Sequence, residues 1–170
     1  MKKLFLLIVD GMTGAGKTSV SKLLSEQIPR VAVIGIDKVK RFISDFERGE
    51  RDNTISKDII FEMTKKYLDH KISVIVEQPF KSEEELKKYE VLAQKYSIPI
   101  YKVQLFANPK IAFQRVLIRQ KSREIKVPED RIKRNISLFK NKEDKGFIVI
   151  DTSNISSEEI QDKILKIIEL

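Results

Sequence analysis

Residues 4–18 read LFLLIVDGMTGAGKT and contain the most specific structural pattern in the sequence. Its first part, Leu4–Val9, is continuously apolar, which is typical of a strand that is covered on both faces of a parallel sheet. Gly11–Thr18 then matches the pattern G-x-x-x-x-G-K-[ST], and the apolar spacing within Thr18–Gln27 predicts a helix directly after it. A strand, such a loop and a helix in this order indicate a site that binds phosphate groups.

The chemistry of this loop follows from its residue types. Its glycines let the backbone pass close to phosphate oxygens and point N–H groups at them, and the following helix adds its positive end. Lys17 would bridge the β- and γ-phosphates of a nucleotide, and Thr18 would be a ligand of Mg²⁺. The predicted cofactors are therefore ATP and Mg²⁺. The predicted nucleotide-binding residues are Gly11, Met12, Thr13, Gly14, Ala15, Gly16, Lys17, Thr18 and Ser19.

Short apolar runs alternate with helical patterns along the rest of the chain. Further strands are predicted at Val31–Ile36, Ser73–Val76, Ile98–Phe106 and Phe147–Ile150. Helices are predicted at Lys38–Arg48, Ser56–His70, Ser82–Tyr96, Pro109–Lys121 and Pro128–Phe139, with a polar break at Gly49–Thr54, a loop at Arg123–Lys126 and a last helix capped by Ser156. This alternation predicts one α/β domain, residues 1–170, with a doubly wound, five-stranded parallel sheet between two helical layers.

Two acidic residues lie where predicted strands end, which is the edge at which such sheets bind ligands. Asp37 ends the second strand and would accept a proton from an attacking hydroxyl group, although an aspartate there would also suit a helix N-cap. Glu77 ends the third strand and would hold the water shell of Mg²⁺, the alternative being an ordinary acidic residue at a strand end.

The net charge of +8 is concentrated in one segment. Residues 101–145 hold 13 Lys and Arg against 5 Asp and Glu, whereas the remaining residues hold 20 of each. Within this segment Arg115, Arg119 and Arg123 recur every four residues, which places them on one side of a helix. They predict a lid at about residues 115–134 that clamps phosphates, with a solvated basic face as the alternative.

Lys40 and Arg41 follow Asp37 closely and would hold an acidic acceptor, or would simply form a solvated helix face. Asp37 and Arg123 complete the residues predicted to contact the acceptor. The segment Asp151–Asn154 would lie near the base of a nucleotide or serve only to cap the last helix.

Several classes of function are excluded by composition and by motif context. The chain has no cysteine and one histidine, so disulfide frameworks, thiolate metal sites and histidine-based triads are ruled out. No apolar run approaches the length of a membrane helix, and a cytoplasmic location is expected. Asn141–Asp144 matches the guanine-reading N-K-x-D pattern, but it precedes a predicted strand instead of following one, which argues against a GTPase.

Together these residues resemble the P-loop kinases of the nucleoside-monophosphate kinase and shikimate kinase group. The similarity extends to small phosphotransferases such as chloramphenicol phosphotransferase, zeta toxins and polynucleotide 5′-kinases. It rests on Gly11–Thr18, on Asp37 at the position of the family's general base, and on Arg115 and Arg119 at its lid arginines. The resemblance implies strand order 2-3-1-4-5, Mg-ATP as phosphoryl donor and a mobile lid between the fourth and fifth strands.

The function expected on these grounds is transfer of the γ-phosphoryl group of ATP to a hydroxyl or phosphate of a small acceptor. Lys17, Asp37, Arg115 and Arg119 are the predicted catalytic residues, with Arg119 also contacting the nucleotide. Two alternatives remain at this level: a nucleic-acid 5′-end kinase, which the basic excess favours, and an ATP-binding switch protein without catalysis. The sequence indicates neither the identity of the acceptor nor the oligomeric state.

Overall fold

The sheet has the predicted architecture. The computed structural model describes residues 4–47, 49–122 and 126–169. Its strands are β1 (Leu6–Gly11), β2 (Val31–Gly35), β3 (Ser73–Glu77), β4 (Ile100–Phe106) and β5 (Ile148–Asp151). They form one sheet in the order β2-β3-β1-β4-β5, and every neighbouring pair is parallel. The expected fold class and strand order are thereby confirmed.

Helices cover both faces of this sheet. They are α1 (Lys17–Gln27), α2 (Ile36–Lys40), α3 (Glu50–Asp69), α4 (Glu83–Lys95), α5 (Pro109–Gln120), α6 (Glu129–Ser137) and α7 (Ser157–Ile167). Buried side chains of α1, α5, α6 and α7 pack on one face, and those of α2, α3 and α4 pack on the other. Within the described ranges, no helix is both long enough and apolar enough to cross a membrane.

The continuous apolar run of β1 follows from its central position. Successive side chains of a strand point to opposite faces, so a strand between two helical layers needs apolar residues at every position. Leu7 and Val9 belong to the core on the α1 side, whereas Leu6 and Ile8 belong to the core on the α3 side. All four side chains are completely buried, and this burial fixes the strand that delivers the phosphate-binding loop.

The chain between β2 and β3 differs from the prediction. Over its described part the predicted helix Lys38–Arg48 is the five-residue α2, which starts earlier and is followed by turns, and Arg48 lies outside the described residues. The predicted polar break Gly49–Thr54 is wrong, because α3 begins at Glu50 with Gly49 as its N-cap. The polar residues read as a break include Glu50 and Asp52, which lie in the first turn and favour the positive end of the helix. Asp52 also accepts a hydrogen bond from the Glu47 backbone at 2.5 Å.

Ser82 and Glu85 have the spacing of a capping box, but at the start of α4 only half of this box is formed. The Ser82 hydroxyl accepts a hydrogen bond from the Glu85 backbone N–H at 3.2 Å, as a capping box requires. The Glu85 carboxylate, however, turns to the Lys57 ammonium at 2.6 Å and to the Gln78 amide at 2.9 Å. At α7 both reciprocal bonds between Ser156 and Glu159 are present, so the predicted N-cap of the last helix is confirmed.

Candidate active site

The loop Gly11–Thr18 is pressed against two neighbouring elements. Gly11 has φ 139°, and a Cβ atom there would lie 2.2 Å from the carbonyl oxygen of Leu105 in β4. Gly14 has φ 84°, and its Cβ atom would lie 2.3 Å from the carbonyl oxygen of Ala112 in α5. Both positions therefore require glycine for two reasons, a left-handed backbone and a close backbone neighbour.

A matched pair of glycine variants separates these two reasons. Gly16 has φ 95°, but nothing lies within 4 Å of the Cβ position there. Gly16→Ala should therefore cost only the strain of the backbone, about 1–2 kcal/mol. Gly14→Ala adds a collision with α5 and should cost about 3 kcal/mol or more. Urea denaturation of both variants measures the difference, and equal losses would show that the contact with α5 is unimportant.

Lys17 lies folded over its own loop. Its Nζ atom donates hydrogen bonds to the carbonyl oxygens of Gly11 at 2.8 Å and Met12 at 3.0 Å. Burial lowers the pKa of Lys17 below its ordinary value, while the charges of Glu77, Asp10 and Asp37 oppose this change and that of Arg119 adds to it. The structure thus brings four charged side chains from separate parts of the chain to act on one ammonium group.

The lowered pKa of Lys17 predicts a pH dependence of nucleotide binding. A protonated lysine attracts phosphate and a neutral one does not, so affinity should fall as pH rises through the pKa of Lys17 in the ligand-free protein. Because that pKa is lowered, the fall should begin below the usual lysine value of 10.5. Calorimetric titration with AMPPNP across the alkaline range measures it. Lys17→Arg is the control, since arginine stays charged over this range, and an identical fall in that variant would assign the titration to another group.

Thr18 and Glu77 meet at the carboxyl edge of the sheet. The Thr18 hydroxyl donates a hydrogen bond to the Glu77 carboxylate at 2.6 Å, which joins the first turn of α1 to the end of β3. A hydroxyl and a carboxylate oxygen at one point are donors of the type that Mg²⁺ prefers. Among the described residues, no group of three or more His, Cys, Asp or Glu side chains could hold a metal ion. These two oxygens therefore suit an ion that takes its other ligands from water and nucleotide phosphates.

Asp37 lies two residues beyond the end of β2, in the first turn of α2. Its side chain is exposed, and the N-cap residue of this helix is Gly35, which provides no side-chain capping bond. The alternative in which Asp37 caps the helix is therefore wrong. Its charge opposes the lowering of the pKa of Lys17, so Asp37 lies on the side of the domain that carries the phosphate-binding loop.

Two residues predicted to contact the acceptor, Lys40 and Arg41, lie beside each other but in different surroundings. Lys40 is buried, and its Nζ atom donates a hydrogen bond to the Asn53 side chain of α3. This contact joins α2 to the first turn of α3. Arg41, directly after α2, is exposed to solvent.

Arg115 is bound to the loop that follows β5. Its guanidinium group donates to the carbonyl oxygen of Thr152 at 2.8 Å, to the Thr152 hydroxyl at 3.3 Å and to the carbonyl oxygen of Ser153 at 3.4 Å. The Thr152 hydroxyl in turn lies 3.0 Å from the carbonyl oxygen of Ala15 in the phosphate-binding loop. In the structure Arg115 therefore braces the segment Asp151–Asn154 against this loop.

The other two arginines of the predicted stripe have different positions. Arg119 is exposed on α5, one turn beyond Arg115, and its charge affects Lys17. It therefore lies on the side of the domain that carries the phosphate-binding loop. Arg123, predicted to contact the acceptor, lies outside the described residues.

The described residues also line a cleft of about 610 Å³. It lies between the start of α3, the loop after β3 and helix α6. Its lining includes the cationic side chains of Lys81, Arg131 and Arg134, and also the carboxylates of Glu50 and Asp130.

Sequence reasoning missed one pair of residues beside the phosphate-binding loop. Lys142, from the segment dismissed as a guanine-reading motif, contacts the carboxylate of Asp10 at the end of β1. A charged residue inside an otherwise apolar strand signals that a partner is needed. The partner is separated by 132 positions, and no spacing pattern connects the two.

Comparison with known proteins identifies a family and several structures of the same fold. A family model described as an AAA domain matches residues 6–141. A tunicamycin resistance protein of Deinococcus radiodurans is 13% identical, with 99% of this chain and 97% of that chain covered and a TM-score of 0.68. A gluconokinase of Sinorhizobium meliloti is 13% identical, with 99% and 94% covered and a TM-score of 0.69.

The structure of an APS kinase of Mycobacterium tuberculosis in complex with AMPPNP and APS is also similar. It is 16% identical, with 99% of both chains covered and a TM-score of 0.69. No curated protein matches the sequence. At these identities the likeness to solved structures establishes a shared fold, that of the P-loop kinases.

Proposed function

This chain belongs to the AAA domain family, and we propose that it is an ATP-dependent kinase. It transfers the γ-phosphoryl group of ATP to a hydroxyl or phosphate of a small acceptor. The observation that carries the proposal is the set of charges around Lys17. The acids Glu77 and Asp37, the loop carbonyl oxygens and the cation Arg119 all act on this lysine from different elements.

The phosphates of ATP would be held by the loop backbone and by the start of α1. The helix N-terminus supplies unpaired N–H groups and a positive partial charge. Lys17 would exchange its bonds to Gly11 and Met12 for phosphate oxygens, since the carbonyl contacts hold it at the loop while no phosphate is bound.

Thr18 and Glu77 are the residues that would hold Mg²⁺, which, when bound, neutralises charge on the phosphates. Asp37 would accept the proton of the acceptor hydroxyl while a bond forms between its oxygen and the γ-phosphorus. The bond from that phosphorus to the oxygen of ADP breaks in the same step. Arg119 would neutralise the charge that develops on the transferring group.

The cleft supports a small acceptor. Its volume of about 610 Å³ lies within the range of ordinary small-molecule sites. The described lining contains three cationic side chains, two acids and the apolar Leu138, but no aromatic ring. Proteins that bind single-stranded nucleic acid stack bases on aromatic side chains, so this lining favours a metabolite over a nucleic-acid end.

A thermal-shift screen tests this proposal. The protein, with AMPPNP and Mg²⁺, is incubated with sugars, sugar acids, nucleosides, nucleotides, aminoglycosides or a 5′-hydroxyl oligonucleotide. We expect one small-molecule class to raise Tm further, and only when AMPPNP is present, because donor and acceptor meet in one site. If the oligonucleotide is the only acceptor that raises Tm, the end-kinase alternative is favoured. A shift with AMPPNP but with no acceptor class would favour an ATP-binding switch.

A further inference from the structure

Asp10 is a buried carboxylate directly before the phosphate-binding loop. It is 3% exposed and lies in β1, between the apolar Val9 and Gly11. A buried charge is unfavourable unless hydrogen bonds and an opposite charge compensate for it. The contacts of Asp10 therefore decide how the first residues of the loop are held.

Both carboxylate oxygens of Asp10 have a partner. One accepts a hydrogen bond from the backbone N–H of Gly11 at 2.6 Å. The other contacts the Nζ atom of Lys142, which also donates a hydrogen bond to the carbonyl oxygen of Phe80 in the loop after β3. One ammonium group thus joins the end of β1 to the segment that follows Glu77.

Lys142 is itself fixed by the sheet. Its backbone N–H donates to the side-chain oxygen of Gln104 at 3.1 Å, and the amide of Gln104 donates to the carbonyl oxygen of Lys140 at 3.0 Å. Gln104 is 1% exposed and belongs to β4, next to β1. The turn between α6 and β5 is therefore held on the sheet edge, and its lysine is presented to Asp10.

Asp10 is also linked to Lys17. Its partner Gly11 provides a carbonyl oxygen to which the Lys17 ammonium donates at 2.8 Å. The Asp10 charge lies close enough to favour the charged form of Lys17. Asp10 therefore attracts two lysines, and only one of them, Lys142, is paired with it directly.

We propose that Lys142 is a positioning residue of the nucleotide site, which neutralises Asp10 and so keeps Lys17 available to phosphate. Without Lys142, the carboxylate of Asp10 would lack its cation. Lys17, the other lysine that Asp10 attracts, would then take the place of Lys142. Lys17 would then be drawn toward the base of the loop and away from a nucleotide. This inference rests on the proposed binding of ATP, because it concerns the lysine that meets the phosphates.

Substitutions at both ends of the ion pair separate this role from simple bracing of the fold. Lys142→Met removes the cation, and Lys142→Gln removes the charge but retains a hydrogen-bond donor. Asp10→Asn combined with Lys142→Met removes both charges, keeps an acceptor for Gly11 and leaves the net charge unchanged. Lys140→Met is the matched control, because Lys140 is an exposed lysine in the same turn.

The measurement is the Kd for AMPPNP with Mg²⁺ by calorimetry, on variants whose folding is verified by near-UV circular dichroism. Both single Lys142 variants should bind about tenfold more weakly than the wild type. The double variant should recover to within about threefold, and Lys140→Met should not change. A purely structural brace would lower Tm in the single variants but leave the Kd of the folded protein unaltered.

The outcomes distinguish this inference from the proposed function. If the wild type does not bind AMPPNP, the proposed function fails. If the wild type binds and a folded Lys142→Gln or Lys142→Met protein binds equally well, the positioning role is wrong. If the double variant binds as weakly as the single variants, Lys142 does not act through Asp10, and the inference is likewise overturned.

Discussion

Lys17→Met is expected to lower the affinity for AMPPNP by at least about 100-fold. The ammonium would make charge-assisted bonds to two phosphate groups, and methionine offers none. The fold should persist, because burial disfavours the charge of Lys17 and its loss removes that cost. We expect the free energy of unfolding to stay within about 1 kcal/mol of the wild type.

Lys22→Met is the matched control for this variant. Lys22 is an exposed lysine of the same helix, α1, and its contact with Glu26 is a surface ion pair at 3.8 Å. It should leave both affinity and stability nearly unchanged. A folded Lys17→Met protein that binds AMPPNP like the wild type would show that the phosphate-binding loop does not work as described.

Asp37→Asn is expected to reduce kcat by about 10²–10⁴ while leaving the Kd for AMPPNP nearly unchanged. A base acts on the acceptor and contributes only in the transition state. As Gly35 is the N-cap of α2, asparagine at position 37 replaces no capping bond. Loss of an acidic charge from the first turn should cost no more than about 1 kcal/mol of stability.

Asp45→Asn provides the comparison, because Asp45 is an exposed aspartate in the turns that follow α2. It should retain the kcat of the wild type. Near-normal turnover by Asp37→Asn would remove this residue from the mechanism. A large loss of AMPPNP affinity would instead assign Asp37 to nucleotide binding.

The core of the fold could be predicted because the sequence patterns that specify it lie within short segments of the chain. The apolar run of β1 specifies a strand that is covered on both faces, and Gly11–Thr18 specifies the turn into α1. The segment between β2 and β3 was misread, because the residues after Gly49 are polar and show no apolar periodicity. The start of α3 is specified instead by its N-cap, Gly49, and by the acids Glu50 and Asp52 in its first turn, which favour the positive end of the helix.

The site was predictable where topology alone brings residues together. Parallel strands place their carboxyl ends at one edge, and this brings Glu77 to Thr18 across 59 positions. Contacts between side chains and loops were not predictable in this way. The spacing between Arg115 and Arg119 predicts a phosphate ligand at position 115. In the structure, however, the Arg115 guanidinium group donates hydrogen bonds to Thr152 and Ser153.

Transfer of label from [γ-³²P]ATP shows whether this protein is a kinase. The protein is incubated with labelled ATP, Mg²⁺ and the acceptor class that stabilises it with AMPPNP, and the products are separated by chromatography. We expect acceptor-bound label with the wild type, strongly reduced label with Asp37→Asn, and none with Lys17→Met. Two results would contradict the proposed kinase activity. In the first, the wild type binds ATP but labels no acceptor. In the second, the label appears only as inorganic phosphate, at equal rates in the wild type and Asp37→Asn.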